Sequence, residues 1–202
     1  TGAGTGVATK YLAVKDARSV AIIGTGGMAA HQLEAVCAVR DIEKVYVYNR
    51  TTERGKVFIE DMQKTLSCSL AYELASSPEE AVQDADIIVT STASPTPVVK
   101  YEWLKKGAHV NGVGAFNSKM QEVDEELVLK AERKVVDSIP GATVAGDLAI
   151  PLNNKKIVEA DLIEIGDFIA QGLTRGSKVG VTSFKSVGLS AQDIACAVQV
   201  LN

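Results

Sequence analysis

The chain has 202 residues, 46% of them hydrophobic and 23% charged, with a formal net charge of −4. This suits one globular domain or slightly more. With no basic run and only 5% aromatic residues it argues against a nucleic-acid surface, and no apolar stretch approaches the ~20 residues of a membrane-spanning helix.

Thr1-Gly2 opens the chain without a Met, and helix-like sequence follows almost at once, from Gly6 to Leu12. We therefore expect a fragment whose N-terminal part has been removed. Ser19 to Ile23 reads as a buried strand, Met28 to Arg40 as a helix, and Lys44 to Tyr48 as the next strand. Thr52 to Leu66 is helical, and Cys68 to Tyr72 is a weaker strand. Ser77-Pro78-Glu79-Glu80 opens a short helix, with Ser as N-cap, Pro at the first position and acids in the first turn. Asp86 to Thr90, His109 to Val113 and Lys134 to Val136 complete the strands. Asp124 opens a helix with Glu125 and Glu126 behind it. Past Gly141 the rhythm breaks into a Gly146-Asp147 turn, a helix near Glu159 to Gln171, and an apolar helix from Gly188 to Leu201. Continuous apolar strands separated by helices predict a parallel sheet covered on both faces. The expected divisions are a linking helix over 1–18, a nucleotide-binding domain over 19–180 and a returning segment over 181–202.

Cys37, Cys68 and Cys196 are scattered, odd in number and without zinc or redox spacing. They read as core thiols of a cytoplasmic protein, and no metal site is expected. No signal peptide is visible.

Gly24-Thr25-Gly26-Gly27-Met28-Ala29 follows a strand and opens a helix. Gly24 permits the tight turn, Gly26 lets backbone approach a pyrophosphate, and Ala29 lets helix and strand pack closely. Free N–H groups and the helix dipole favour the phosphates. The second strand ends in Asn49-Arg50-Thr51, where NAD enzymes usually carry an acid for the ribose hydroxyls. Arg50 instead offers a guanidinium suited to a 2′-phosphate, and Thr51 a hydroxyl, so NADP is favoured over NAD. Arg50 as a solvated residue or a stacking plane fits either cofactor. Small residues after the fourth strand (Thr90 to Ala93, with Thr92 as a cofactor contact) and after the fifth (Gly112 to Phe116) should complete a crevice at the carboxyl edge.

In order and spacing, the chain resembles the ornithine cyclodeaminase/mu-crystallin family. The resemblance is carried by Thr1-Gly2-Ala3, Ala8 to Leu12, the Gly24 loop, Asn49-Arg50-Thr51, Ala85 to Thr90, Gly107 to Asn111, Val113-Gly114-Ala115, Gly146-Asp147 and Phe184 to Gly188. It implies a doubly wound parallel Rossmann sheet with helices on both faces. Terminal helices would link it to a substrate and dimerisation domain that is largely missing, in a subunit that pairs as a homodimer. It further implies that Gly24, Gly26, Gly27, Met28, Ala29, Asn49, Arg50, Thr51, Val113, Gly114, Ala115 and Ser186 contact the cofactor and that Val187 lies near the substrate. Met28 replaces a frequent Gln, which keeps the backbone contact. Phe116 stands where cyclodeaminases and archaeal alanine dehydrogenases carry an Asp, which tilts the expectation toward hydride transfer to the C=N carbon of an imino acid. Ornithine cyclodeamination, alanine dehydrogenation and NADPH-dependent ligand binding without turnover are the alternatives, and this chain alone is expected to be inactive. No catalytic acid or base is singled out. Asp124, Asp147, Lys185 and Asp193 read first as caps, turn formers or surface groups, and His31 and His109 as structural.

Overall fold

Both faces of strand β1 (Ser19–Ile23) are buried, which is why its sequence is apolar without alternation. The computed structural model describes residues 1–66 and 69–201, the last two of these by backbone alone. The further strands are β2 (Lys44–Tyr48), β3 (Ala71–Leu74), β4 (Ile87–Thr90), β5 (His109–Gly112), β6 (Arg133–Val136), β7 (Ile163–Glu164) and β8 (Thr182–Lys185). They form one parallel sheet in the order β3-β2-β1-β4-β5-β8-β6-β7. The helices are α1 (Gly2–Leu12), α2 (Ala29–Cys37), α3 (Thr52–Thr65), α4 (Pro78–Val82), α5 (Glu125–Lys130), α6 (Ile139–Ala142), α7 (Gly146–Asn153), α8 (Ile165–Ala170) and α9 (Ser190–Leu201).

The strand period of two sorts side chains to the two faces. Val20, Ile22, Val47 and Val89 meet Leu33 and Val36 of α2 and Phe58 and Met62 of α3. Farther along that face, Val135 and Phe184 meet Leu12 of α1 and Phe168 of α8. On the opposite face Ala21, Ile23, Ile88, Val110 and Val136 meet Val82 of α4, Leu127 of α5 and Leu148 of α7. Burying one such large apolar side chain stabilises by about 1.5–3 kcal/mol. This is the doubly wound Rossmann arrangement, and the strand order reverses between β1 and β4, where such sheets open their ligand crevice.

The first six strands and their helices stand within a few residues of expectation. For the third strand, expected from Cys68, the described part runs Ala71–Leu74 and Cys68 lies outside the described residues. The later part differs. Residues 182–185, expected in the returning segment, form β8 between β5 and β6. Thr-Ser-Phe-Lys is no apolar run, and its Thr182 and Lys185 are buried through specific partners. The helix expected from Glu159 to Gln171 divides into a 3-10 turn (Glu159–Asp161), β7 and α8, because pairing of Ile163 with Val135 overrides local propensity. Gly146-Asp147 is the first turn of α7, a helix hidden from a pattern search by its interior Pro151. Cys196 is exposed, not a core thiol, because the described side chains of α9 are exposed on nearly every side.

Helix α1 is tied to the sheet by polar contacts. Arg40 donates to the carbonyls of Thr9, Lys10, Ala13 and Val14, satisfying acceptors at the end of α1. Arg175 donates to Leu12, Gly107, Ser177 and Gly180.

Candidate nucleotide and substrate cleft

The turn after β1 needs glycine. Gly24 has φ +90°, and a Cβ there would lie 2.6 Å from Cγ2 of Thr92 and 2.9 Å from the Ser91 carbonyl. Its N–H donates to the Tyr48 carbonyl (2.8 Å). Thr25 N–H donates to Asn49 Oδ1 (3.2 Å), and Asn49 Nδ2 donates to the Thr51 carbonyl (2.9 Å). One asparagine therefore joins the glycine loop to the end of β2 and fixes the strand end that carries Arg50. At the start of α2, Ala29 N–H donates to the Gly26 carbonyl (2.9 Å), and Ala29 is fully buried against the sheet. Gly26, Gly27 and Met28 are exposed there, and among the described residues their N–H groups have no acceptor. A Cβ on Gly27 would meet nothing within 4 Å. Such a surface can receive an anion.

A cleft of about 360 Å³ runs from Gly24, Thr25 and Gly26 to Asn49, Arg50 and Thr51, and Arg54, Pro78 and Ser91 to Pro95 also line it. A second hollow of about 270 Å³ shares Gly26 and the Ser91–Ala93 loop and extends to Gly27, Met28, Val113, Gly114, Phe116 and Val187. The first is in the size range of small-ligand sites and the second falls just below it. Phe116 is 58% exposed at the rim.

The floor between the β4 and β5 loops is organised by Glu122, which sequence reasoning passed over. Its fully buried carboxylate accepts from Thr92 N–H (2.6 Å), Thr92 Oγ1 (2.9 Å), Gly114 N–H (2.7 Å) and Ala115 N–H (2.9 Å). The donors of Thr92, Gly114 and Ala115 are thus committed within the protein, so these expected cofactor contacts can offer only their surfaces and carbonyls. Glu122 N–H in turn donates to Asp147 Oδ1 (2.6 Å), as does Val123 N–H (3.1 Å). Asp147 and Lys185, 1% and 5% exposed, form an ion pair at 2.8 Å, through proximity more than a well-directed hydrogen bond. Neither is the turn former or surface group that their sequence context suggested. Nothing in the local sequence marks Glu122, one of four acids between residues 122 and 126; its role exists only when the two loops meet.

Ser186, expected beside the cofactor, is fully buried and donates to Asp137 Oδ2 (2.8 Å), so its hydroxyl faces the protein. Asp137 also accepts from the N–H groups of Val187 and Gly188, which fixes the turn leaving β8. Val187 lines the second hollow. Asp124 caps α5, accepting from Leu127 N–H (2.9 Å), and burial raises its pKa. His31 and Asp193 are exposed. His109 is buried beneath α1 between Thr182 Oγ1 (2.9 Å) and Asn111 Oδ1 (3.2 Å), and burial lowers its pKa to about 3, leaving it neutral.

The sequence profile of the ornithine cyclodeaminase/mu-crystallin family matches residues 1–202, the whole chain. The chain belongs to this family. Among family members, the Bacillus cereus Delta(1)-pyrroline-2-carboxylate reductase is 45% identical over 98% of this chain and 61% of its own length. The solved structure of the Thermococcus litoralis Delta(1)-pyrroline-2-carboxylate reductase in complex with NADH and L-proline superposes with a TM-score of 0.92, at 40% identity over 97% of this chain and 61% of that one. An archaeal alanine dehydrogenase dimer with bound NAD superposes at 0.89, with 35% identity over 97% of this chain and 60% of that one. The chain thus spans about three fifths of the length of the relatives it matches.

Proposed function

We propose that the chain forms the nucleotide-binding domain of an NAD(P)-dependent oxidoreductase acting on C–N bonds, which reduces an imino acid to the amino acid. The observation that carries this reading is the character of the second hollow. Phe116, Met28 and Val187 line it, and no side chain of Asp, Glu, His or Lys does so among the described residues. The apolar face that these three side chains give to this chain's half of the cleft suits hydride addition to an already protonated imine. Such an addition needs orientation and exclusion of water more than acid–base exchange. A bound dihydronicotinamide would supply the hydride. The exposed N–H groups of Gly26, Gly27 and Met28 would hold the pyrophosphate, Asn49 would keep the ribose end in register, and Phe116 and Val187 would shield the reacting carbon. Gly24, Thr92, Val113 and Gly114 line the cleft walls, and Ala29 and Ala115 lie buried behind them. Ser186 acts through Asp137 on the position of Val187.

For the cofactor we favour NADP over NAD. Arg50 stands exposed at the end of β2 in place of an acid, and the next acid along the chain, Glu53, is held by Lys56 at 2.7 Å. The dimerisation and substrate contacts are assigned to a second domain joined through α1 and α9. Exposed Val7 and Tyr11 on α1 and Ile194 and Val198 on α9 support that assignment, and the archaeal dimer supports a homodimer. The exposed Cys196 thiol agrees with a reducing, cytoplasmic setting.

The protein at the full length of its relatives should oxidise NADPH when given Δ1-pyrroline-2-carboxylate. It should neither release ammonia from ornithine without net cofactor change nor consume NADH with pyruvate and ammonia. Ammonia release from ornithine as the faster reaction would overturn the assignment. Tight NADPH binding with no turnover across an imine and keto-acid panel would replace it with a ligand-binding role.

A further inference from the structure

We propose that Arg54 completes a two-guanidinium subsite for a phosphate on the adenosine ribose and, with Arg50, sets the cofactor preference; this rests on the NADP reading above. Arg54 lies in the first turn of α3, four residues beyond Arg50, and both line the wall of the same 360 Å³ cleft. Both are exposed, and among the described residues neither is ion-paired. On its outer side Arg54 shares a shallower hollow with Glu53 and Asp61, which pair with Lys56 at 2.7 Å and Lys64 at 3.8 Å. Toward the 360 Å³ cleft, by contrast, two cations stand where no protein carboxylate is among the lining residues. Like charges lining one cleft repel, and a dianion bound between them removes the conflict.

A single arginine at this edge can serve either cofactor by stacking on adenine. Two arginines converging from a strand end and a helix turn describe a charge, not a plane. Planar guanidinium forks match phosphate oxygens two at a time. Two hydroxyls stand ready beside them. Thr51 makes no capping bond to α3, and Thr25 Oγ1 is shielded from solvent without a hydrogen-bond partner in the wall shared with Arg54. Arg54 is thereby a specificity residue for the ribose phosphate and takes no part in the hydride step.

The test is titration calorimetry of the 202-residue chain with NADPH, NADH, 2′,5′-ADP and 5′-AMP. Arg54→Ala should weaken NADPH and 2′,5′-ADP by about tenfold while NADH and 5′-AMP stay within about twofold, which also reports an intact fold. Arg54→Lys should fall between, since a point charge loses the fork. If Arg54→Ala and Arg54→Gln keep the wild-type NADPH-to-NADH ratio while Arg50→Ala collapses it, the role of Arg54 is overturned and the NADP reading stands. Equal wild-type affinity for 2′,5′-ADP and 5′-AMP overturns both.

Discussion

Glu122 shows how much of the site depends on a single side chain. Four donors from two loops converge on one buried carboxylate. Glu122→Gln keeps the volume but turns an NH2 group toward N–H groups that need an acceptor. Stability should fall by about 1–3 kcal/mol, the cost of stranded donors, read as a lower urea midpoint, and NADPH affinity should weaken as the β4 and β5 loops separate. The Asp147–Lys185 pair behind it obeys a related rule. Removing one partner leaves an uncompensated buried charge, so Asp147→Asn and Lys185→Met should each cost about 3–5 kcal/mol. The double variant should cost clearly less than the sum of the two. Additive losses in denaturant unfolding would mean that the two charges do not stabilise each other.

Among the elements, α1 is held by a polar seam where most helices here rely on apolar packing. Asn111 Nδ2 donates to Thr9 Oγ1 (3.2 Å), Thr182 Oγ1 donates to the Leu12 carbonyl (3.0 Å), and His109 lies between Asn111 and Thr182. Burial drops the His109 pKa to about 3 in the folded chain, whereas unfolding restores about 6.5. Between those values the unfolded state binds the extra proton. Stability from this group is therefore complete above about pH 6.5 and is lost as pH falls toward 3, by up to about 1.4 kcal/mol per pH unit. Unfolding free energies at pH 7 and pH 5 should show this slope, and His109→Gln should flatten it; an unchanged slope would move the titration elsewhere. Arg175 closes the other end of the seam through four carbonyls. Arg175→Lys, with fewer donors and no fork, should destabilise by about 1–3 kcal/mol and loosen amide exchange protection at the end of α1.

At the scale of the whole molecule, the cleft exists because two loops from neighbouring strands touch without side-chain bulk between them. A Cβ on Gly114 would collide with the Thr92 backbone and approach Glu122 Oε1 to 2.6 Å. Gly114→Ala should therefore both lower the thermal midpoint and abolish nucleotide binding, whereas Gly27→Ala, with open space around it, should spare the midpoint. The sequence by itself determined the Rossmann half built from β1 to β5, because apolar runs with caps and glycine turns are local signals. It also determined the glycine loop, the Asn49-Arg50-Thr51 strand end and the family, through motifs whose spacing survives in one dimension. Only the tertiary structure decided the rest. β8 is a strand because β5 and β6 flank it, not because Thr-Ser-Phe-Lys favours one. Lys185 is inside because Asp147 meets it there, Glu122 matters because two loops bring four donors to it, and Arg54 joins Arg50 because α3 turns it into the same cleft. β8, the Lys185–Asp147 pair and the Thr92–Glu122 contact depend on partners distant in sequence, and a polar residue's partner is what decides whether it can be buried.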